Sequence, residues 1–277
     1  MGDQARSGHV IAPNTLRAEH SDVVLLDVRQ ASDVDAPDVD AFLAGHIPGA
    51  IFVDLDVDLA GVSTGTNGRR PLPGPAEFQK KVRQWGIEID TPVVVYGATG
   101  SAAPARAWWL LRWARVQSVR MLDGGLDGWV SNGGELQTGA TEAQLPESDF
   151  NIRPGGMPVA ELTAVSDFAD RGLLLDARPA AKFSHPTAPG AGHIPGARNI
   201  PVAESLDAEG YLLPNAELRE LFVGVGISES DEPAAYCGTG VAAALEVLVL
   251  TVLGIRAHLY VGSASEWTAD PTRMLER

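Results

Sequence analysis

Short apolar runs alternate with amphipathic stretches along the whole chain, and this alternation predicts strands and helices in turn. The strand-like runs are residues 23–27, 93–96, 173–176, 234–236 and 257–260. The helix-like stretches are residues 75–85, 105–114, 217–223 and 241–253. Strands that alternate with helices are typical of parallel sheets with helices on both faces. The pattern therefore predicts an α/β fold.

The sequence also repeats itself once. Residues 45–50 and 192–197 both read Gly-His-Ile-Pro-Gly-Ala, and six identical residues in a row are not chance. Other matches keep the same order in the two halves, namely Asp27-x-Arg29 with Asp176-x-Arg178, Tyr96 with Tyr236, and Trp129 with Trp267. A single repeat of this length predicts two similar domains. We place them at residues 1–137 and 159–277, joined by a polar linker over 138–158 that is rich in Gly, Pro, Thr and Glu.

Composition narrows the class of protein. The 277 residues are 45% hydrophobic and 21% charged, which is typical of a globular chain. With 21 basic and 36 acidic residues the net charge is −15, which disfavours nucleic acid or an anionic membrane as the main partner. The most apolar stretch, 241–253, is shorter than the ~20 residues of a membrane span, and residues 1–13 hold no apolar signal segment. We expect a cytoplasmic protein.

The single cysteine is the most informative residue. Cys237 excludes an internal disulfide framework and a zinc cluster of the cysteine type. It lies between a predicted buried strand and a predicted apolar helix, at the strand end where open α/β sheets bind ligands. Gly238 and Gly240 would let the chain curl so that the amides from Gly238 through Val241 to Ala242 point inward as an anion cradle. A thiol there is expected to act as a nucleophilic thiolate.

Two other interpretations of Cys237 stay open on these residues. The thiol could be a small buried hydrophobic group, as free cysteines often are, in a purely structural double domain. It could also belong to a phosphatase loop, but the arginine that such a loop needs six residues later is replaced by Ala243. Phosphoryl transfer is therefore disfavoured.

Together, the duplicated Asp-x-Arg and Gly-His-Ile-Pro-Gly-Ala elements, the Cys-Gly-Thr-Gly-Val loop and the late Gly-x-x-x-x-Trp resemble the tandem-domain rhodaneses, from about Val10 to Arg273. These are the thiosulfate and 3-mercaptopyruvate sulfurtransferases. The resemblance implies that Cys237 carries a persulfide between a small anionic donor and a thiol, cyanide or protein-thiol acceptor, without a metal or organic cofactor. It also implies that the first domain, with Gly97 in place of the cysteine, is a wall of the cleft. An alternative is a sulfur carrier or regulatory module that a protein partner loads.

The resemblance also suggests site residues. The loop is similar to the Cys-Gly-Ser-Gly-Val loop of mercaptopyruvate enzymes, so Thr239 takes the place of the hydroxyl that assists transfer. Arg178 takes the place of one carboxylate-binding arginine, and Lys182 stands where a second would fall. Ala242 replaces a hydroxyl residue that is common at its position. The uncharged loop favours 3-mercaptopyruvate as the donor, with thiosulfate as the other candidate.

Several of these residues also have simpler structural explanations. Thr239 could cap the following helix, and Arg178 has a twin, Arg29, in the half without a nucleophile, which suggests a scaffold role. A structural role is favoured for His46, although the resemblance places it near the cleft, where it could assist proton transfer. We interpret Arg69 and Arg70 as a solvated loop pair, which could also lend positive potential to the mouth of the cleft.

Overall fold

The computed structural model describes residues 2–30, 39–141, 145–184 and 191–277, and it confirms the α/β class. Its strands are β1 (Val10–Ile11), β2 (Val24–Arg29), β3 (Ile51–Asp54), β4 (Val93–Tyr96), β5 (Val119–Leu122), β6 (Leu174–Asp176), β7 (Arg198–Asn199), β8 (Ala234–Tyr236) and β9 (His258–Leu259). Its helices are α1 (Gly2–Ser7), α2 (Pro13–Glu19), α3 (Val39–Ala44), α4 (Leu55–Asp58), α5 (Pro75–Gln84), α6 (Ala103–Trp113), α7 (Gly125–Ser131), α8 (Val165–Asp170), α9 (Ala180–Ser184), α10 (Asn215–Gly224), α11 (Ala242–Val252) and α12 (Ser263–Trp267).

The strands form two parallel sheets with the same topology. The first has the order β1-β5-β4-β2-β3 and the second the order β7-β6-β8-β9. The pairing of Asp27 with Tyr96 on β2 and β4 is repeated by Asp176 and Tyr236 on β6 and β8. Val159 pairs in parallel with Leu259, so it takes the place beside β9 that β1 has beside β5. The duplication seen in the sequence is thus a duplication of the sheet.

Alternation along each strand divides the core into three parts. Side chains on one face of each sheet, such as Val95 and Ala235, join a large cluster that both domains share. The residues next to them, such as Tyr96 and Tyr236, face a smaller cluster within their own domain. Helices α6 and α11 pack against each other and contribute most of their buried residues to the shared cluster. Because side chains alternate with a period of two, Cys237 continues the Ala235 face and points toward the interface.

The repeated sequence elements are scaffold in both halves. The Tyr96 hydroxyl accepts a hydrogen bond from the Ile47 amide at 2.9 Å, and the Tyr236 hydroxyl accepts one from Ile194 at 3.0 Å. Each bond joins the Pro-Gly turn of its domain to the end of the strand that carries the tyrosine, β4 in the first domain and β8 in the second. The first-half loop after Tyr96 has no room for a side chain, since a Cβ on Gly97 would lie 2.6 Å from the Val28 carbonyl oxygen.

The two domains are in close contact. A Cβ on Gly68 of the first domain would lie 2.9 Å from the Gly262 carbonyl oxygen of the second. The Arg6 guanidinium bonds Asp123 at 3.1 Å and the carbonyls of Leu212 and Leu213 at 2.7 Å. A further contact, from the Arg70 guanidinium to the Thr239 hydroxyl, brings the first domain onto the loop after β8.

The predicted elements occur, with shifted ends. The helix predicted at 105–114 begins earlier, at Ala103, because Pro104 fits the first helical turn, where its missing N–H is not needed. The pattern missed β1, β3, β5 and β7, which are only two to four residues long. Within the described ranges, every helix is too short or too polar to cross a bilayer.

Candidate active site

The site centres on the five-residue turn between β8 and α11. The Gly240 amide donates a hydrogen bond to the Cys237 sulfur at 3.1 Å, and the Cys237 residue is only 3% exposed. Gly240 has φ +77°, and a Cβ there would lie 2.4 Å from the Val261 carbonyl oxygen. Only glycine satisfies both the backbone conformation and the contact. The structure therefore brings together Cys237 and Gly240, two of the predicted loop residues.

The remaining loop residues have different roles. Gly238 lines an adjacent cavity. Val241 and Ala242 bring the chain into α11, and no side chain caps that helix. The Thr239 hydroxyl accepts a hydrogen bond from Arg70 at 3.3 Å instead. In the described part of the chain, Gly240 supplies the cradle amide that is bonded to sulfur.

A buried serine fixes the backbone of the cysteine. The Ser263 hydroxyl accepts the Cys237 amide at 3.1 Å and donates to the Tyr260 carbonyl at 2.9 Å. The Cys237 carbonyl accepts the Ala264 amide at 3.0 Å. Ser263 has φ +53°, a conformation that costs energy for a residue with a Cβ, and its two hydrogen bonds hold it there. Sequence reasoning missed Ser263. The signal was its alignment with Gly125, which has φ +58° in the first half.

The first domain contributes an arginine to the loop. The Arg70 guanidinium binds both oxygens of Asp56, at 2.5 and 3.0 Å, and reaches the Thr239 hydroxyl. The neighbouring Arg69 amide donates to the Ser265 hydroxyl at 3.0 Å. The interpretation of Arg69 and Arg70 as a solvated pair is wrong for Arg70, because the domain contact folds it onto the loop of the other half.

Arg178 has a scaffold contact like that of its twin. Its guanidinium binds both oxygens of Asp176 and donates to the Gly192 carbonyl at 2.7 Å. Arg29 makes the same pair with Asp27 and reaches the Gly45 carbonyl at 3.2 Å. Arg178 nevertheless also borders the cavity beside Gly238.

The structure does not bring His46 to the loop. Its ring is fully buried and stacks on Phe42 at 3.9 Å between centroids. One ring nitrogen lies 2.9 Å from the Phe42 carbonyl and the other 3.1 Å from the Thr141 hydroxyl. Both nitrogens are therefore engaged inside the first domain.

A cavity of about 610 Å³ opens beside the loop. Its walls carry three cationic side chains, from Arg69 of the first domain and from Arg178 and Lys182 of the second, together with Gly238, Ala264, Ser265, Thr268 and Leu275. The cavity thus offers positive charge to a small anion next to the cysteine turn.

A buried acid lies behind the turn. Glu246 on α11 is 1% exposed, and neither carboxyl oxygen has a hydrogen-bond partner among the described residues. Burial raises the pKa of Glu246 well above its ordinary value, and the negative charges of Asp176 and Cys237 raise it further. The carboxyl group is thus held toward its neutral form.

Two parallel sheets of the same topology, with the cysteine turn of the second at the domain interface, define a two-domain α/β protein. The family model of the rhodanese-like domain matches the chain twice, over residues 13–132 and 161–270. The chain belongs to the rhodanese-like domain family.

Three relatives illustrate the range of this family. A Mycobacterium tuberculosis protein with the provisional name thiosulfate sulfurtransferase SseB is 42% identical over 262 residues, which cover 92% of this chain and 91% of the relative. The sulfur carrier protein TtuD of Thermus thermophilus is 31% identical over 248 residues, covering 83% and 85%. The crystal structure of SseA from Escherichia coli, a 3-mercaptopyruvate sulfotransferase, superposes with a TM-score of 0.80 at 33% identity, covering 92% of this chain and 98% of SseA.

Replacing Gly240 by alanine should separate the sulfur from its amide. The added Cβ must move away from the Val261 carbonyl, so the turn rotates, and we expect alkylation of Cys237 by iodoacetamide at neutral pH to fall several-fold. Gly254→Ala is a matched control, because Gly254 also has positive φ, +83°, but has open space around its Cβ position. Both variants should lose ~1 kcal/mol of stability from the positive φ, and Gly240→Ala should lose more because its Cβ clashes with the Val261 carbonyl. Equal alkylation rates in the two variants would contradict the role of Gly240.

The buried Glu246 should make stability depend on pH. Its folded-state pKa is raised above the unfolded value of about 4.5, so the folded protein holds the proton more tightly. Protonated Glu246 therefore stabilises the folded state fully below about pH 4.5, and this stabilisation is lost as the pH rises toward the folded-state pKa. The free energy of unfolding of Glu246→Gln, measured in urea relative to wild type, should therefore improve steadily above about pH 4.5. Glu220→Gln, at an exposed position of α10, should show no such trend. If the difference in free energy of unfolding between Glu246→Gln and wild type did not change with pH, the raised pKa of Glu246 would be refuted.

Proposed function

We propose that this protein is a sulfurtransferase that carries a sulfane sulfur on Cys237. The observation that carries the proposal is the Gly240 amide bonded to a cysteine sulfur at 3.1 Å, beside a cavity with cationic walls. An amide stabilises an anionic sulfur without offering an acidic proton that would quench it. Membership of the rhodanese-like family, with relatives named after sulfur transfer, supports the same conclusion.

The reaction divides into two displacements at sulfur. The Cys237 thiolate attacks the outer sulfur of the donor and forms an S–S bond. The donor's C–S bond in 3-mercaptopyruvate, or S–S bond in thiosulfate, breaks, and its electron pair leaves with pyruvate enolate or sulfite. The enolate then takes a proton to give pyruvate. An acceptor thiolate or cyanide next attacks the outer sulfur and releases the Cys237 thiolate, so ping-pong kinetics are expected.

The two domains divide the work in this proposal. The second domain, residues 159–277, supplies the nucleophile and most of the cavity. The first, residues 1–137, closes the site with the segment that carries Arg69 and Arg70, and residues 138–158 join the two. We assign Gly238, Gly240, Val241 and Ala242 to the cradle and Thr239 to sulfur transfer through its hydroxyl. His46 is left out, because both of its ring nitrogens are occupied within the first domain.

We propose 3-mercaptopyruvate as the preferred donor, with thiosulfate as the second. The loop itself carries no cation, and the positive charge of Arg70, which reaches Thr239, is offset by Asp56, so the uncompensated positive charge lies on the exposed cavity wall and not on the loop. Lys182 is exposed on the cavity wall and is suited to a single carboxylate. Arg178 contributes less, because Asp176 already occupies its guanidinium.

A sulfur carrier is the second candidate function, and the similarity to TtuD favours it. In that case a protein partner would load Cys237, and turnover with free small donors would be negligible. The acceptor would again be a thiol, and the chemistry at Cys237 would be unchanged.

Mass spectrometry of the intact protein tests the proposed function. After incubation with 3-mercaptopyruvate or thiosulfate, wild type should gain the mass of one sulfur, which an acceptor thiol or cyanide then removes. Cys237→Ser should gain nothing and should not turn over. No added sulfur with either donor, while a cysteine desulfurase loads Cys237, would favour the carrier. Turnover by Cys237→Ser would exclude the mechanism altogether.

Lys182→Ala tests the choice of donor. We expect KM for 3-mercaptopyruvate to rise up to about five-fold with kcat unchanged, since an exposed ion pair is worth at most ~1 kcal/mol and holds substrate and transition state alike. KM for thiosulfate should change less. Lys80→Ala removes the same charge from an exposed position on α5 and should alter neither constant. An equal loss for both donors would argue against a carboxylate contact.

A further inference from the structure

One cation of the cavity wall stands directly in front of the cysteine loop. The Nη2 atom of Arg69 lies 3.8 Å from the position that a Cβ on Gly238 would take. Outside the chain neighbours of Gly238, no other atom of the described residues lies within 4 Å of that position. Arg69 is therefore the one cavity cation among them that comes this close to the residue after Cys237, and the space between is open to the cavity.

A serine of the second domain fixes Arg69 in front of the loop. The Ser265 hydroxyl accepts a hydrogen bond from the Arg69 amide at 3.0 Å, and the Ser265 amide donates to the Gly238 carbonyl at 3.1 Å. The same hydroxyl donates to the Gly262 carbonyl at 2.9 Å, which fixes its direction. Two hydrogen bonds through Ser265 thus join the backbones of Arg69 and Gly238, although the two residues belong to different domains.

The guanidinium of Arg69 is available to a ligand. Its anchor is a main-chain amide, so the side chain takes no part in holding the segment. Arg70 is paired with Asp56, and Arg178 with Asp176. The side chain of Arg69 is exposed, and within the described ranges no carboxylate forms an ion pair with it. Arg69 therefore brings to the loop an uncompensated positive charge that the loop itself lacks.

The two candidate donors need a cation at different distances from the sulfur. In thiosulfate the outer sulfur is bonded directly to the sulfonate group, so the sulfonate oxygens stay close to the loop when Cys237 attacks that sulfur. In 3-mercaptopyruvate a methylene and a keto carbon separate the sulfur from the carboxylate, which therefore reaches further along the cavity wall. The fork of a guanidinium can bind two oxygens of one oxyanion, whereas a lysine offers a point charge.

We propose that Arg69 of the first domain is the residue that lets the site use thiosulfate, by binding the sulfonate group in front of Gly238. The transfer step rests on the proposed function. The Cys237 thiolate forms an S–S bond with the outer sulfur, the S–S bond of thiosulfate breaks, and its electron pair leaves with sulfite. Arg69 stabilises the charge that collects on this leaving group. Lys182 keeps the carboxylate of 3-mercaptopyruvate, so each donor has its own cation.

The test compares kcat/KM for the two donors, which in a ping-pong reaction reports the first half-reaction alone. Arg69→Met should lower kcat/KM for thiosulfate about five-fold, the upper range for an exposed ion pair, and that for 3-mercaptopyruvate by less than about two-fold. Arg69→Lys keeps the charge without the fork and should recover part of the loss. The control Arg171→Met removes the same charge from the exposed end of α8 and should leave the ratio of the two values unchanged.

Thiosulfate binding to Cys237→Ser is measured alongside, because this variant holds the donor without reacting. The Gly238 amide signal in NMR should shift as thiosulfate is added, and Arg69→Met in the same background should need about five-fold more thiosulfate. No shift, or the same concentration dependence with and without Arg69, would overturn the inference, as would an equal loss of kcat/KM for both donors. Binding that depends on Arg69 in a protein whose wild type takes up no sulfur from either donor would contradict the proposed function alone.

Discussion

The hydrogen bond from the Gly240 amide to the Cys237 sulfur is the contact on which the rest of the site depends. Gly240 makes it in the left-handed conformation, Ser263 fixes the cysteine backbone beside it, and Arg70 of the first domain contacts the neighbouring Thr239. Each of these comes from a different part of the chain. The sheet supplies the direction of the sulfur, since alternation along β8 turns Cys237 toward the interface rather than into the second domain's own core.

The duplication shows which features are scaffold and which are chemistry. The Asp-x-Arg pairs and the turns bound to Tyr96 and Tyr236 occur in both halves and support both sheets. The two halves differ in the loop that follows β4 in the first domain and β8 in the second. Gly97 has no space for a side chain because Val28 and Pro104 crowd it, whereas position 244, which corresponds to Pro104, is the small Ala244. The first domain therefore shields the site and contributes cations rather than a nucleophile.

Much of this arrangement could be predicted from the sequence. The 2-residue and 3.6-residue periods gave the fold class, and the Cys-Gly-Thr-Gly-Val spacing located the turn, because both depend on local geometry. The twin arginines suggested the scaffold contact that Arg178 makes with Asp176, and its substrate-binding role stays a prediction. Arg70 was misread, because its contact with Thr239 joins residues 169 positions apart and depends on domain docking. Ser263 was missed for a similar reason. The sequence around a serine in a turn does not indicate which distant amide will donate a hydrogen bond to its hydroxyl.

The central claim is that the Gly240 amide stabilises the sulfur of Cys237 as an anion, and amide NMR of the isotopically labelled wild-type protein tests it most directly. As the pH rises, the Gly240 amide proton should move downfield with the same midpoint as alkylation of Cys237, because its hydrogen bond strengthens when the thiol becomes a thiolate. In Cys237→Ser this titration should vanish. A Gly240 amide that does not respond to pH in wild type would contradict the account.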